Sequence, residues 1–122
     1  MNRLARGFVA LSLLVALVGS SATPVLANTA TITPGSQMHA HGVKSSWSLS
    51  YTGTAPWEVI FTYGDGEGID IVTPANSMTK THAFFPCATT TFSQILTVWD
   101  SHNPPLVAQD GSTSRENGGN PC

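Results

Sequence analysis

Side chains alternate with a period of two in three stretches of this chain, and this pattern constrains the fold more than any other feature of the sequence. In residues 46–51, SWSLSY, large apolar residues alternate with serines, and in residues 57–63, WEVIFTY, four large apolar side chains occupy alternate positions. Successive side chains of a β-strand point to opposite faces, whereas a helix would repeat every 3.6 residues. Both stretches are therefore predicted to be strands with one buried face.

The third alternating stretch spans residues 92–99, FSQILTVW. One face carries Phe92, Gln94, Leu96 and Val98, and the other carries Ser93, Ile95, Thr97 and Trp99. Weaker strands are predicted at 30–33, 68–72, 78–84 and 106–109, with turn sequences rich in Gly, Pro and Asn between them. This many short strands in a small chain predicts an all-β fold, an immunoglobulin-like antiparallel β-sandwich. The domain is assigned to residues 28–109, followed by a polar tail at 110–122.

Residues 1–27 are typical of a secretory signal peptide. Arg3 and Arg6 precede an apolar run over 8–18, and Val25 and Ala27 place small residues before a predicted cut after Ala27. A membrane anchor is the alternative, but an apolar run of 11 residues is too short to span a bilayer. We expect a secreted, extracellular protein with no membrane association after cleavage.

The charges of residues 28–122 argue against nucleic acid as a partner. Three basic residues stand against seven acidic ones, which gives a net charge of −4. Binding to phosphate backbones requires clustered Lys and Arg side chains. The expected partner is therefore an extracellular protein or a polysaccharide, and the chain itself is expected to be a monomer.

The two cysteines, Cys87 and Cys122, would lie in an oxidising compartment after export. An even count predicts one intramolecular disulfide, which closes a loop of about 36 residues and stabilises the fold by roughly 3–4 kcal/mol. The alternative is an intermolecular bond through Cys122 at the end of the chain. Non-reducing electrophoresis separates these two possibilities.

Three sequence elements, in order, resemble the PKD domain, an immunoglobulin-like module of secreted and cell-surface proteins. FTYGDG at 61–66 matches the strand and turn W-D-F-G-D-G of the family, and THAF at 81–84 matches its H-x-Y element through His82 and Phe84. FSQILTVWD at 92–100 matches the closing alternating strand. Gln94 takes an apolar position of that strand and must find hydrogen-bond partners. The resemblance implies a non-catalytic binding module, with His82 in packing and hydrogen bonding.

An acidic glycine cluster, GDGEG at 64–68, follows the strongest strand. Asp65, Glu67 and nearby Asp70 offer oxygen ligands of the kind that Ca²⁺ binds, so they are weak calcium candidates. The spacing lacks the twelve-residue calcium loop with its closing Glu. A turn is the preferred interpretation, because Gly tolerates positive φ and Asp accepts hydrogen bonds from neighbouring backbone N–H groups. No metal and no cofactor is predicted.

The remaining candidates give little support to catalysis. His39 and His41 alternate in MHAH, but Zn²⁺ needs a third or fourth ligand, and the sequence places neither His82 nor His102 beside them. Surface or turn positions are the preferred interpretation. The chain contains no G-x-S-x-G, H-E-x-x-H or S-x-x-K sequence, so an enzyme is not expected.

Trp99 and Ile95 share the strand face opposite the predicted core. An exposed Trp stacks on sugar rings or anchors a protein partner, so these residues, with Asp65 and Glu67, are the candidate binding residues. The alternative is that loops or the C-terminal tail cover Trp99. The sequence thus supports a secreted binding module first. A small secreted effector or inhibitor that contacts its target through loops 64–68 and 85–91 is second.

Overall fold

The computed structural model describes residues 28–119, which form eight β-strands. The predicted signal peptide and Cys122 lie outside this range. The strands, in chain order, are β1 (Ala30–Thr33), β2 (Ser36–His39), β3 (Ser45–Tyr51), β4 (Trp57–Thr62), β5 (Gly68–Thr73), β6 (Ser77–His82), β7 (Thr90–Trp99) and β8 (Val107–Glu116). All seven predicted strands are present, and β2 is an addition that the alternation did not reveal.

The strands form two sheets, of order β1-β3-β6 and β2-β8-β7-β4-β5. Neighbouring strands are antiparallel, except that β2 runs parallel to the end of β8. The chain enters one sheet at β1 and crosses to the other at β2, so the first two short strands lie at the edges of different sheets. Placing β3 and β6 in one sheet and β4, β7 and β8 in the other is the arrangement of an immunoglobulin-like β-sandwich. The predicted fold class is confirmed.

The core lies between the sheets and uses the predicted face of each alternating strand. Trp47 is 1 % exposed and Phe61 is fully buried, and their rings meet edge to face with centroids 5.5 Å apart. The remaining members of the buried core are Ile32, Leu49, Tyr51, Trp57, Val59, Tyr63, Phe84, Leu96 and Val98. Fully burying an aromatic or aliphatic side chain stabilises a fold by about 1.5–3 kcal/mol, so this cluster is the main source of stability.

The predicted boundary between the domain and a polar tail is wrong, because β8 continues through residue 116. Alternate side chains in the second half of this strand are buried, namely Ser112, Ser114 and Glu116. The interior therefore extends beyond its apolar part. The hydroxyls of Ser45 and Ser114 donate to Glu116 Oε1 at 2.7 and 2.8 Å. The sandwich is therefore closed at this end by hydrogen-bonded polar side chains, which give no hydrophobic signal in the sequence.

Gln94 finds the partners that its apolar position in β7 requires. Its Nε2 donates to the carbonyl oxygens of Tyr63 at 2.9 Å and Phe92 at 3.1 Å, and its Oε1 accepts from the Ser112 hydroxyl at 2.9 Å. Gln94 is 1 % exposed, so each of these bonds replaces one that water would make to the unfolded chain. The side chain also ties β7 to Tyr63, the residue that follows β4.

Asp100 fixes the connection between β7 and β8. Its Oδ1 accepts backbone N–H groups of Leu106 at 2.9 Å and His102 at 3.1 Å, and its Oδ2 accepts that of Thr54 at 3.0 Å. Burial alone would raise the pKa of this carboxyl, but the hydrogen bonds, the one to Leu106 foremost, lower the pKa overall. The folded state therefore favours the carboxylate.

We expect Asp100→Asn to cost about 2 kcal/mol of unfolding free energy, because a charge-assisted bond is lost and an amide N–H would face the Thr54 N–H. A lowered folded-state pKa contributes stability above about pH 4, and that contribution is lost as the pH falls through the folded pKa. Urea denaturation at pH values between 3 and 7 measures this effect. The free energy of unfolding should fall less with acid in the variant than in the wild type. Glu67→Gln, at a carboxylate whose side chain is 72 % exposed, is the control. Equal pH dependence in wild type and Asp100→Asn would contradict the role of Asp100.

Candidate functional site

The GDGEG segment is a tight turn, as predicted. Gly64 and Gly66 have φ angles of 96° and 94°, which L-residues with a side chain rarely adopt. Tyr63 N donates to Glu67 O at 2.9 Å, and Asp65 Oδ1 accepts from Glu67 N at 3.1 Å. The local bonds hold Asp65 at the tip of the loop and leave its second carboxylate oxygen directed elsewhere.

That second oxygen meets His82, the last residue of β6 in the opposite sheet. The His82 ring stacks on Tyr63, with centroids 4.1 Å apart and planes 4° from parallel, and it meets the Phe84 ring nearly at right angles. Two aromatic contacts of this kind fix the ring orientation. Its Nε2 lies 2.6 Å from Asp65 Oδ2, so the turn after β4 is joined to the end of β6. The packing and hydrogen-bonding role predicted for His82 is present in the structure.

Glu67 completes the cluster from the solvent side. Its Oε2 lies 3.7 Å from His82 Nε2, and its side chain is 72 % exposed, against 15 % for His82 and 20 % for Asp65. Burial would raise the pKa of Asp65, but the hydrogen bond from His82 and further hydrogen bonds lower the pKa overall. Burial, reinforced by the negative charges of Asp65 and Glu67, raises the pKa of the Tyr63 hydroxyl. We call Asp65, Glu67 and His82 the turn cluster.

The sequence paired Asp65 and Glu67 with Asp70, whereas the structure pairs them with His82. The ligand atoms of the turn cluster lie within 4.8 Å of one another. Asp70 lies instead on β5, where its backbone aligns with Ile60, and it is not in this group. The partner of the two carboxylates is distant in sequence and belongs to the other sheet, so the spacing of acidic residues did not indicate it.

The other two candidate histidines, His39 and His41, have separate surroundings. His39 Nε2 lies 2.6 Å from Gln37 Oε1, and the His41 ring meets the exposed Phe85 ring with centroids 5.6 Å apart. Neither joins a group of three potential metal ligands within residues 28–119. The interpretation of this pair as surface or turn residues fits these contacts better than a zinc site does.

The second candidate surface is the outward side of the five-stranded sheet. The register aligns Ile95 with Thr62 on one side and with Gly111 on the other, and it aligns Thr97 with Ile60. Ile95 is 50 % exposed and Val72, on the edge strand β5, is 70 % exposed, while Ile60 and Thr97 are half-buried. We call Ile60, Val72, Ile95 and Thr97 the outer face. Ile95 therefore occupies the exposed position that the alternation predicted.

Trp99 does not occupy such a position, and its interpretation as an exposed binding residue is wrong. It is 7 % exposed and packs with Val107, with Ile60 against the pair. Val107 lies directly opposite Trp99 in the β7–β8 register, and cross-strand neighbours on one face contact each other. The cover comes from β8 and β4, a source distinct from the tail and loops that the sequence suggested.

Cys87 is exposed in the segment between β6 and β7. Gly119 N donates to the carbonyl oxygen of Pro86, the residue before Cys87, at 3.2 Å. The chain therefore lies near Cys87 at Gly119, three residues before Cys122. Three residues span at most about 10 Å. This length allows Cys122 to reach Cys87, and it equally allows Cys122 to extend away from it. The predicted disulfide remains a prediction, because Cys122 lies outside the described residues.

No protein-family model and no curated protein matches the chain, so membership of the PKD family stays a prediction. The crystal structure of the N-terminal four Ig domains of Dscam1 isoform 4.4 is similar over 75 % of this chain, at 16 % identity and a TM-score of 0.46. The match spans only 20 % of that four-domain structure.

No helix long and apolar enough to cross a membrane occurs among residues 28–119.

Proposed function

We propose that this chain is a secreted, non-catalytic, PKD-like module that binds an extracellular protein through the outer face of its five-stranded sheet. The observation that carries the proposal is the 50 % exposure of Ile95 on the middle strand of that sheet, with Val72 exposed on the edge strand β5, beyond β4. Export is inferred from the signal sequence, and the PKD-like character from the three ordered sequence elements.

The chemistry of the outer face favours a protein over a sugar. Ile95 and Val72 are aliphatic, and the residues that neighbour Ile95 across the strands are Thr62 and Gly111, which carry no charge. The exposed charge on this face is Asp70, which lies opposite Ile60 on the edge strand β5. Protein interfaces bury such uncharged apolar centres and place charges at the rim. Sugar rings stack on aromatic faces, and the indole of Trp99 is covered. The loss of Trp99 as an exposed residue thus removes the main argument for a polysaccharide ligand.

The turn cluster gives no support to hydrolytic catalysis. A His–carboxylate pair supports covalent catalysis only when a side-chain hydroxyl or thiol lies within hydrogen-bond reach of the ring. Among residues 28–119, the His82 ring contacts the carboxylates of Asp65 and Glu67 and the rings of Tyr63 and Phe84. We therefore place binding ahead of catalysis.

Capture from the culture medium tests the proposed function. Immobilised wild-type protein should retain a specific protein, and Ile95→Lys should weaken that retention about tenfold or more, because a charge would be buried at the centre of the contact. Ser48→Lys is the matched control, since Ser48 is an exposed strand residue of the other sheet. Retention that survives Ile95→Lys, or glycan-array binding that is lost in this variant, would contradict a protein-binding outer face.

The alternative, a small effector or inhibitor, is favoured by one observation. Phe85 is 70 % exposed at the start of the predicted contact loop 85–91, and its ring meets the His41 ring edge to face. An exposed aromatic ring on a loop is a common anchor for a protein target. In the same capture experiment, loss of retention in Phe85→Ser with full retention in Ile95→Lys would assign the contact to the loop.

A further inference from the structure

We propose that Asp65, Glu67 and His82 bind a divalent transition-metal ion, with Zn²⁺ the ion of best fit. This inference does not depend on the proposed function. It rests on one imidazole nitrogen and two carboxylate groups, from different parts of the chain, whose ligand atoms lie within 4.8 Å of one another. Imidazole and carboxylate ligands are those that zinc binds at about 2.0–2.2 Å.

The distances fit a tetrahedral ion after a small adjustment. Ligand atoms around a tetrahedral Zn²⁺ lie about 3.4 Å apart, given the usual bond lengths. Glu67 Oε2 is already 3.7 Å from His82 Nε2, whereas Asp65 Oδ2, at 2.6 Å, must move outward by about 0.8 Å. The ion would thus replace the hydrogen bond between His82 and Asp65. Water would supply the fourth ligand, since Glu67 faces solvent.

The surroundings of the ring support a ligand position for His82. The Tyr63 ring, stacked at 4.1 Å, and the Phe84 ring, nearly perpendicular at 4.7 Å, hold the imidazole while its Nε2 lies near both carboxylates. A ring that is already oriented loses little freedom on binding an ion, which raises affinity. Side-chain exposure falls from Glu67 to Asp65 to His82, so Glu67 is the ligand that an ion from solvent would meet first.

The ligand set also distinguishes zinc from calcium. Ca²⁺ takes six to eight oxygen ligands, whereas this group contains a nitrogen and two carboxylates, without Asp70. Nitrogen ligands suit zinc and the neighbouring transition metals. The ion would join the turn after β4 to the end of β6, and so link the two sheets.

The proposal is tested on the secreted chain by calorimetric titration and thermal melting with Zn²⁺, Ca²⁺ or EDTA. We expect one zinc ion per chain, and a Tm that rises by roughly 10 °C when free zinc is about one hundred times Kd. Ca²⁺ at the same concentration should leave Tm unchanged. A Tm that does not respond to zinc, or that responds equally to calcium, would overturn the assignment.

Variants and ring NMR locate the ion. Glu67→Gln removes one ligand and leaves the Asp65–His82 bond in place, so it should fold normally and bind zinc about tenfold more weakly or worse. Asp70→Asn, which loses the same charge outside the cluster, should bind as wild type does. In long-range proton–nitrogen spectra, zinc should shift the ring nitrogens of His82 selectively. Zinc affinity unchanged in Glu67→Gln, or shifts confined to His39, His41 or His102, would overturn the proposal.

Discussion

Gly64→Ala is expected to destabilise the protein by roughly 3 kcal/mol, which is a large part of the stability of a small domain. Two costs combine. Gly64 has a φ of 96°, a conformation that disfavours any residue with a Cβ. An added Cβ would also overlap the Ser93 carbonyl oxygen and lie 2.9 Å from the Ser93 amide nitrogen, both backbone atoms of the central strand β7. Neither atom can move without disturbing the sheet.

Gly66→Ala is the matched control in the same turn. Gly66 has nearly the same φ, 94°, but no atom lies within 4 Å of the position that its Cβ would take. It should therefore carry the conformational cost alone, about 1 kcal/mol. Urea denaturation of both variants measures the difference. Equal destabilisation by the two substitutions would show that Gly64 does not approach β7 as closely as the structure places it.

Loss of the predicted disulfide is the second large effect. We expect Cys122→Ser to lower the free energy of unfolding by roughly 3–4 kcal/mol, the entropic value for a loop of about 36 residues. The bond from Gly119 N to Pro86 O supports the pairing, because it brings Gly119, three residues before Cys122, next to the residue that precedes Cys87. Denaturation of wild type with and without a thiol reductant should reproduce the same difference.

The double variant Cys87→Ser/Cys122→Ser is the control for this effect. Once the bond is broken, removal of the second thiol should cost little more, so the single and double variants should unfold at nearly the same urea concentration. A reducible dimer band in non-reducing electrophoresis would contradict the intramolecular bond. A wild type whose stability is unchanged by reductant would contradict any structural disulfide.

Strands whose inward residues are apolar were predictable from the sequence. β3 and β4 bury Trp47, Leu49, Val59 and Phe61 as the alternation indicated. In strands with a period of two, only one of the two possible registers places the apolar side chains in the interior. The turn at 64–66 was predictable from its glycines. The need of Gln94 for partners also followed from the sequence, since a polar residue in an apolar series must be satisfied when buried.

Elements stabilised by polar contacts were not predictable in the same way. The second half of β8 buries Ser112, Ser114 and Glu116, and its composition is that of a disordered tail. The short strand β2 depends on parallel pairing with that half of β8, so one missed element concealed the other. Hydrophobic periodicity reports apolar burial only, and this end of the sandwich is held by hydrogen bonds between side chains and by backbone pairing.

In the candidate sites, contacts between residues that are far apart in the sequence were likewise not predictable. Asp65 and Glu67 were identified, but His82, which joins them from the other sheet, was assigned only through a family resemblance. Ile95 is exposed as the alternation predicted, whereas Trp99, on the same face, is covered by its cross-strand neighbour Val107. Strand periodicity assigns a residue to a face, and the register then decides how much of that face stays open.

Site-specific photo-crosslinking in the producing culture tests the central claim most directly, that the outer face of the five-stranded sheet contacts a protein. A photoreactive phenylalanine analogue replaces Ile95 in one variant and Ser48, on the exposed side of the other sheet, in the control. The account predicts a discrete adduct with a different protein from position 95 and none from position 48. No adduct from position 95, equal adducts from both positions, or an adduct made only of two copies of this chain would contradict it.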